Sequence, residues 1–340
     1  MVKYSIGRRL SELNEWVLQR REDVLEPELQ IVDSHVHALE DKRGRYLIHE
    51  ILEDISSGHN VAATVFVQSE VNMYRADGPL PMQPVGEVEF ANGIAAMSAS
   101  GGYGTARLCA AIVGHADLTL GDDVRPVLEA MMVAGNGKFR GIRHGLTWDS
   151  GGVAKQKWPR HLALSPAFQK GFAVLASLGL SFDAWLFHPQ LSDMAALLGG
   201  FPEAHVILNH SGGLVGGLSD TSIFPIWRDQ MRHLAQYPNL RVKVGGLGMP
   251  RCGGDFHQRS LPPSSEELAG SWRPYVETCI ELFGPARCML ESNFPVDKQS
   301  CGYGVLWNAF KRITRNYSAV DKGFLYHGTA AKTYRLPQFT

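Results

Sequence analysis

The sequence predicts an α/β fold, a (β/α)8 TIM barrel distorted by loop insertions and preceded by an N-terminal helical extension. Three observations point there. Eight short apolar or β-branched runs recur along the chain, helix-like stretches lie between them, and histidines fall at the ends of several runs.

The runs cover 29–33, 62–68, 106–113, 139–143, 180–187, 205–209, 240–244 and 287–291, and most end in Gly, Ser, Asn or His. Apolar residues at three- and four-residue intervals predict helices over 124–134, 166–178, 190–198, 229–236 and 272–283. Strand-then-helix alternation implies a parallel sheet, and eight repeats close into a barrel; an open doubly wound sheet is the competing topology. Ahead of the first run, Leu10, Leu13, Trp16, Val17 and Leu18 predict an amphipathic helix within 6–25. Residues 1–28 therefore form an extension and residues 29–340 a single barrel. Polar stretches at 74–104, 212–224 and 249–265 interrupt the alternation. On a barrel they sit at the catalytic rim as lids or substrate loops, or they thicken a homodimer contact.

Composition excludes several classes of partner. The 340 residues carry 33 basic and 34 acidic side chains, a net charge of -1, so no basic excess exists to neutralise nucleic acid or anionic lipid. Apolar residues make up 44%, enough for a substantial core. Five cysteines (Cys109, Cys252, Cys279, Cys288, Cys301) are an odd number without CxxC spacing, which argues against a disulfide framework or a cysteine zinc site. The first 21 residues lack the apolar core of a signal peptide, and no apolar run is long enough to span a membrane. The expectation is a cytoplasmic protein acting on a small molecule.

The chemistry concentrates in histidines. In Asp33-Ser34-His35-Val36-His37 the two imidazoles are two residues apart, so they project to the same side at the end of a strand. Such a pair can hold one divalent ion, or it can be two half-buried, hydrogen-bonded histidines. His188 ends the fifth run and His210 the sixth, in Asn209-His210-Ser211-Gly212. All four converge on the face where barrel enzymes keep their chemistry.

These motifs, with Glu291-Ser292-Asn293-Phe294-Pro295 on the eighth run, resemble the amidohydrolase superfamily. The similarity runs from about Ile31 to the C-terminus and is nearest to the amidohydrolase-2 type, which includes lactonases. The resemblance implies a metal or proton-handling site from His35, His37 and His188, with one Zn²⁺-like ion, and His210 polarising the scissile carbonyl. It also exposes a departure: the superfamily carries Asp on strand eight as ligand and base, where this chain has Asn293. An amide cannot take a proton from water at neutral pH. Either the base has moved, to Asp297, Glu291, Asp33 or Glu70, or Asn293 only orients water or substrate. A metal-free site, in which protonated histidines and Arg143 supply the positive field, is the alternative.

Three further residues are candidates for holding substrate. Arg143, at the end of the fourth run, can clamp a carboxylate with two parallel hydrogen bonds. His144 alternates with it, so one of the two faces the mouth. Lys243 puts a charge inside an apolar run, which demands a partner, a substrate or an escape between the outer helices. Gly245, Gly246 and Gly248 read as room for a turn. The sequence thus points to a hydrolase opening a small, carboxylated cyclic ester. A non-oxidative decarboxylase, a cyclic amide hydrolase and a binding protein on a decayed barrel are the competing functions.

Overall fold

The structure is a computed structural model that describes residues 8–338 apart from 43, 70–72, 152 and 155–157. Glu70 lies outside the described residues. Eight strands form one parallel sheet in chain order: β1 (Ile31–Val36), β2 (Val61–Val67), β3 (Arg107–Gly114), β4 (Phe139–Gly145), β5 (Ser181–Trp185), β6 (His205–Leu208), β7 (Leu240–Val244) and β8 (Cys288–Leu290). Every neighbouring pair in that order is parallel.

Closure comes from the backbone beyond β8. Asn293 N–H donates to His35 O at 3.0 Å, and His37 N–H donates to Phe294 O at 2.8 Å. Side chains stitch the same seam. Ser34 Oγ donates to Leu290 O at 2.8 Å, and the Asp33 carboxylate accepts from Ser292 N–H and from the Tyr303 hydroxyl, each at 2.9 Å. The sheet is thereby a nearly closed, distorted barrel.

Helix α1 (Leu10–Val17) precedes the barrel. One long helix then follows each strand: α2 (Ile48–Ile55), α3 (Val85–Ala99), α4 (Arg125–Ala134), α5 (Pro166–Ser177), α6 (Leu191–Gly200), α7 (Ile223–Leu234), α8 (Ser265–Phe283) and α9 (Tyr303–Ile313). The main core lies between strands and helices. A second, smaller core fills the barrel itself, where Val32, Val65, Val113 and Ile207 point inward by strand alternation. Ala330 and Tyr334, from the C-terminal segment, join that interior core and plug its floor.

Several elements depart from expectation. The polar stretch 74–104 contains α3; its buried Val85, Val88, Ala91, Ile94 and Ala95 share the helix with buried Gly86 and Glu87, which blurs any apolar stripe. Helices α2 and α9 were not expected, and α8 starts seven residues earlier than 272. Its start is a capping box in which Ser264 and Glu267 reciprocally satisfy backbone N–H groups. Among the described residues α1 is shorter than expected, because the charged run after Leu18 breaks its apolar spacing. Its buried Trp16 donates to Ser260 O at 3.0 Å, and Arg8 just ahead of the helix reaches the carbonyls of His257 and Arg259, both at 2.7 Å, so this segment lies on the loop before α8.

Tyr334 tests the floor. Its hydroxyl donates to the buried Asp183 carboxylate at 2.9 Å. Tyr334→Phe is expected to cost about 2 kcal/mol, the worth of a hydrogen bond to a charged group. Tyr334→Ala, which also opens a cavity, should cost about 3–5 kcal/mol. Urea midpoints of the two variants check both figures.

Candidate functional site

The seam decides what meets at the mouth. β1 breaks register between Asp33 and Val36, which leaves Asp33 on the seam and turns His35 into the cluster, and the backbone pairing beyond β8 sets Glu291 beside it. Glu291 is fully buried and bridges two histidines. Its Oε1 accepts from the His210 backbone N–H at 3.0 Å and lies 2.8 Å from His210 Nδ1, while its Oε2 lies 3.0 Å from His35 Nδ1. His37 Nδ1 is 2.8 Å from Val67 O. A carbonyl only accepts, so that nitrogen carries the hydrogen and Nε2 keeps a lone pair, facing His35 Nε2 at 3.3 Å.

Two cations flank this group. Arg143 Nη1 is 3.2 Å from His35 Nε2, and its Nη2 donates to Gln68 O at 2.6 Å. Lys243, with no exposed surface, pairs with Asp183 at 2.7 Å and lies 3.4 Å from His35 Nδ1. Asp183 also accepts from Asn209 Nδ2 at 3.0 Å. Lys243 is therefore inside the barrel beneath the mouth; it neither reaches solvent nor escapes between the helices.

Space for the group comes from three close approaches on the loop after β7. A Cβ on Gly245 would meet Glu291 Cγ at 2.5 Å, one on Gly246 the His210 ring at 2.6 Å, and one on Gly248 the Asp297 carboxylate at 2.8 Å. These glycines make room for site side chains as well as for a turn.

Burial sets the protonation states. Desolvation holds His35, His37 and His210 well below the ordinary imidazole range, helped by Lys243 at His35 and by Arg143 at the other two. All three are neutral near pH 7. Burial pushes Glu291 up to about 8 against the opposing field of Lys243. The tautomer of His210 follows Glu291. With the carboxylate ionised, Nδ1 holds the hydrogen and Nε2 is a lone pair; with it protonated, Nε2 can carry a hydrogen to donate.

The other expected residues fall in different places. Asn293, with a left-handed φ of 56°, donates its amide to Asp297 Oδ1 at 2.7 Å. Asp297 also accepts from Gly248 N–H at 2.9 Å, and burial raises its pKa to about 8. Lys298, next to Asp297 in the chain, pairs instead with Asp54 at 2.9 Å. Asp33, raised by burial to about 6, serves the seam and accepts no imidazole N–H. His144 points outward, its ring against Trp158 and Phe168 with centroids 4.6 and 5.5 Å away, while Nδ1 accepts from Leu118 N–H at 3.2 Å. Of the alternating pair, Arg143 is the inward residue. His188 lies in a short turn past β5, and its Nδ1 accepts from Val215 N–H at 3.2 Å.

Among the described residues, His35, His210 and Glu291 offer ligand atoms that all lie within 4.8 Å of one another. Imidazole nitrogen and carboxylate oxygen are donors that suit a divalent ion such as Zn²⁺. The donor set therefore fits a metal. It differs from the expected ligands: His210 and Glu291 belong to it, His188 does not, and His37 stands against its edge.

Three neighbours were missed. Trp185 sets its edge against His210, centroids 4.7 Å apart, and Arg251 lies over Trp185 at 5.4 Å. Asp183 carried the same signal as Lys243, a charge in an apolar strand, and the strand period aligns it with Trp185.

Known proteins agree with this architecture. The family model described as amidohydrolase matches residues 32–336. Uncharacterized protein y4mH of Sinorhizobium fredii is 36% identical over 291 residues, 86% of each chain. An L-fucono-1,5-lactonase of Burkholderia multivorans is 28% identical over 237 residues, covering 67% of this chain and 72% of that one. In fold, a crystal structure of an amidohydrolase from Burkholderia multivorans with bound zinc superposes with a TM-score of 0.69 at 24% identity, over 91% of this chain and all of the other. With a family match that spans the whole barrel, the chain belongs to the amidohydrolase superfamily, in its amidohydrolase-2 branch.

Proposed function

We propose that this hydrolase opens a small, carboxylated cyclic ester, a lactone, by water attack at the barrel mouth. The observation that carries the reading is Arg143, a guanidinium 3.2 Å from the central histidine of a buried cluster of neutral imidazoles and carboxylates. A permanent cation there attracts an anionic substrate and stabilises charge that develops on its carbonyl oxygen. Support for a lactone comes from the curated relative named L-fucono-1,5-lactonase.

In this reading Arg143 holds the substrate carboxylate, and Trp185 limits water on the His210 side. His35, His210 and Glu291 would hold one Zn²⁺-like ion, which when bound supplies Lewis-acid polarisation and an acidified water. Asp297 replaces the missing strand-eight base. Its burial, its raised pKa and the Asn293 amide fixed on one of its oxygens support that role. Without the ion, a protonated Glu291 would leave a hydrogen on His210 Nε2 to donate to an oxyanion, so in metal-free protein that pair could move a proton. The five cysteines are free and buried, which supports a reducing, cytoplasmic setting, and no helix among the described residues is long and apolar enough to cross a membrane.

A panel of lactones and carboxylated rings, scored by acid release and product mass, tests the reaction. Gain of one water is expected; loss of CO₂ would make the chain a decarboxylase and overturn the proposal. Chelation should abolish turnover and Zn²⁺ restore it, whereas full activity in metal-free protein would transfer the carbonyl-polarising role to Arg143 and the histidines.

Arg143→Gln should raise KM at least about tenfold for a carboxylated lactone, the worth of a charge-assisted pair, and change KM little for a neutral one.

A base that must be ionised and titrates near 8 makes kcat/KM rise with pH from 6 to about 8; Asp297→Asn should lower the rate about a hundredfold or more and flatten that rise. The same group has a stability signature. Its folded pKa lies above the ordinary carboxylate value of 3.8, so its contribution is complete below that value and is lost as pH rises through about 8. Melting temperature should therefore fall more steeply between pH 5 and 8 in the native protein than in Asp297→Asn.

A further inference from the structure

A cavity of about 220 Å³ opens at the opposite end of the barrel from the histidine cluster. It lies under the N-terminal ends of β4 to β7, where Arg140, Ser181, His205 and Arg241 begin their strands, and the C-terminal segment closes its side with Lys332 and Arg335. Its lining holds four permanent cations and one histidine, and no Asp or Glu. That imbalance is local, since the chain as a whole carries a net charge of -1.

The cations differ in how they are held. Arg140 is locked, donating to the carbonyls of Tyr334 and Gly137 and to Phe139 O at 3.2 Å, so it is a fixed positive wall. Arg335 donates only a long 3.5 Å bond to Gly179 O. Among the described residues, Arg241 and Lys332 have no hydrogen-bonding or ion-pair partner. Their donors are therefore available. Burial lowers the pKa of Arg140 and of Arg241, and the neighbouring charges of Arg335 and Arg287 add to it, as expected of cations gathered without a counter-charge. The cost of that crowding is relieved by an anion that accepts hydrogen bonds from several sides.

We propose that this floor pocket binds a multiply charged oxyanion, inorganic phosphate or the phosphate group of a small phosphomonoester. Guanidinium forks match the spacing of phosphate oxygens, Lys332 adds a mobile point charge, and the volume leaves room for a small organic group on the phosphate. The site is separate from the mouth, where Arg143 sits.

Calorimetric titration with inorganic phosphate, and separately with glycerol phosphate, at an ionic strength matched by sodium chloride, tests the assignment. One-to-one binding is expected. The paired change Arg241→Gln with Lys332→Gln should weaken it at least about tenfold, the loss of charge-assisted contacts. Lys332→Gln alone, at an exposed position, should weaken it measurably in a fully folded protein. Arg143→Gln should leave it unchanged. Tighter binding of glycerol phosphate than of inorganic phosphate would identify the monoester as the ligand, and the reverse order the free ion. Heat no greater than that of chloride would overturn the proposal. So would binding that survives the paired change, or binding lost in Arg143→Gln, which would place the anion at the mouth.

Discussion

Closure between β8 and β1 is the constraint on which the site depends. Two backbone hydrogen bonds beyond Leu290 carry the eighth strand's direction past its regular end, and Asp33, Ser34 and Tyr303 hold the seam from the sides. That extension sets Glu291 level with His35, within reach of His210 from β6. A seam shifted by one residue would turn Glu291 and His35 toward opposite faces, because strand side chains alternate. The chemistry is therefore a product of register at one joint.

The charges inside the barrel are tolerated because each is answered. Lys243 and Asp183 are both fully buried and paired at 2.7 Å, and Asp183 gathers two further donors, from Asn209 and Tyr334. Leaving either ion alone would be strongly destabilising, whereas the satisfied pair is sustained. Burial, helped by Lys243 and Arg143, keeps the imidazoles unprotonated, and burial also raises the pKa values of Glu291 and Asp297 to about 8. Acid and base functions are thus separated by environment more than by residue type.

Much of this was legible in the sequence, and the failures have physical causes. Strand positions followed from apolar runs, and alternation required that only one of Arg143 and His144 face the mouth without saying which. His35, His37 and His210 were readable because they sit on or directly beyond regular strands. His188 stands apart from the cluster because β5 ends at Trp185, so the residues after it turn before alternation can aim the ring. Glu291 as a bridge was not readable, since its partners come from β1 and β6, 256 and 81 positions away, and only the closed barrel brings them together. Helix α3 was hidden by small and buried polar residues that dilute its apolar face. Tyr334 carried no signal, because a residue that plugs a barrel from below follows neither strand nor helix period.

That plug also ties completion of the interior to the order of synthesis. Asp183 and Lys243 leave the ribosome long before Tyr334, which lies 151 positions after Asp183. Until it arrives the floor is open, and water can solvate both members of the ion pair. Arrival of the C-terminal segment expels that water and brings Lys332 and Arg335 beside Arg140 in the same movement. Without that segment the Lys243–Asp183 pair lacks the Tyr334 hydroxyl beneath it, so the electrostatic foundation of the histidine end is sealed by the last residues made.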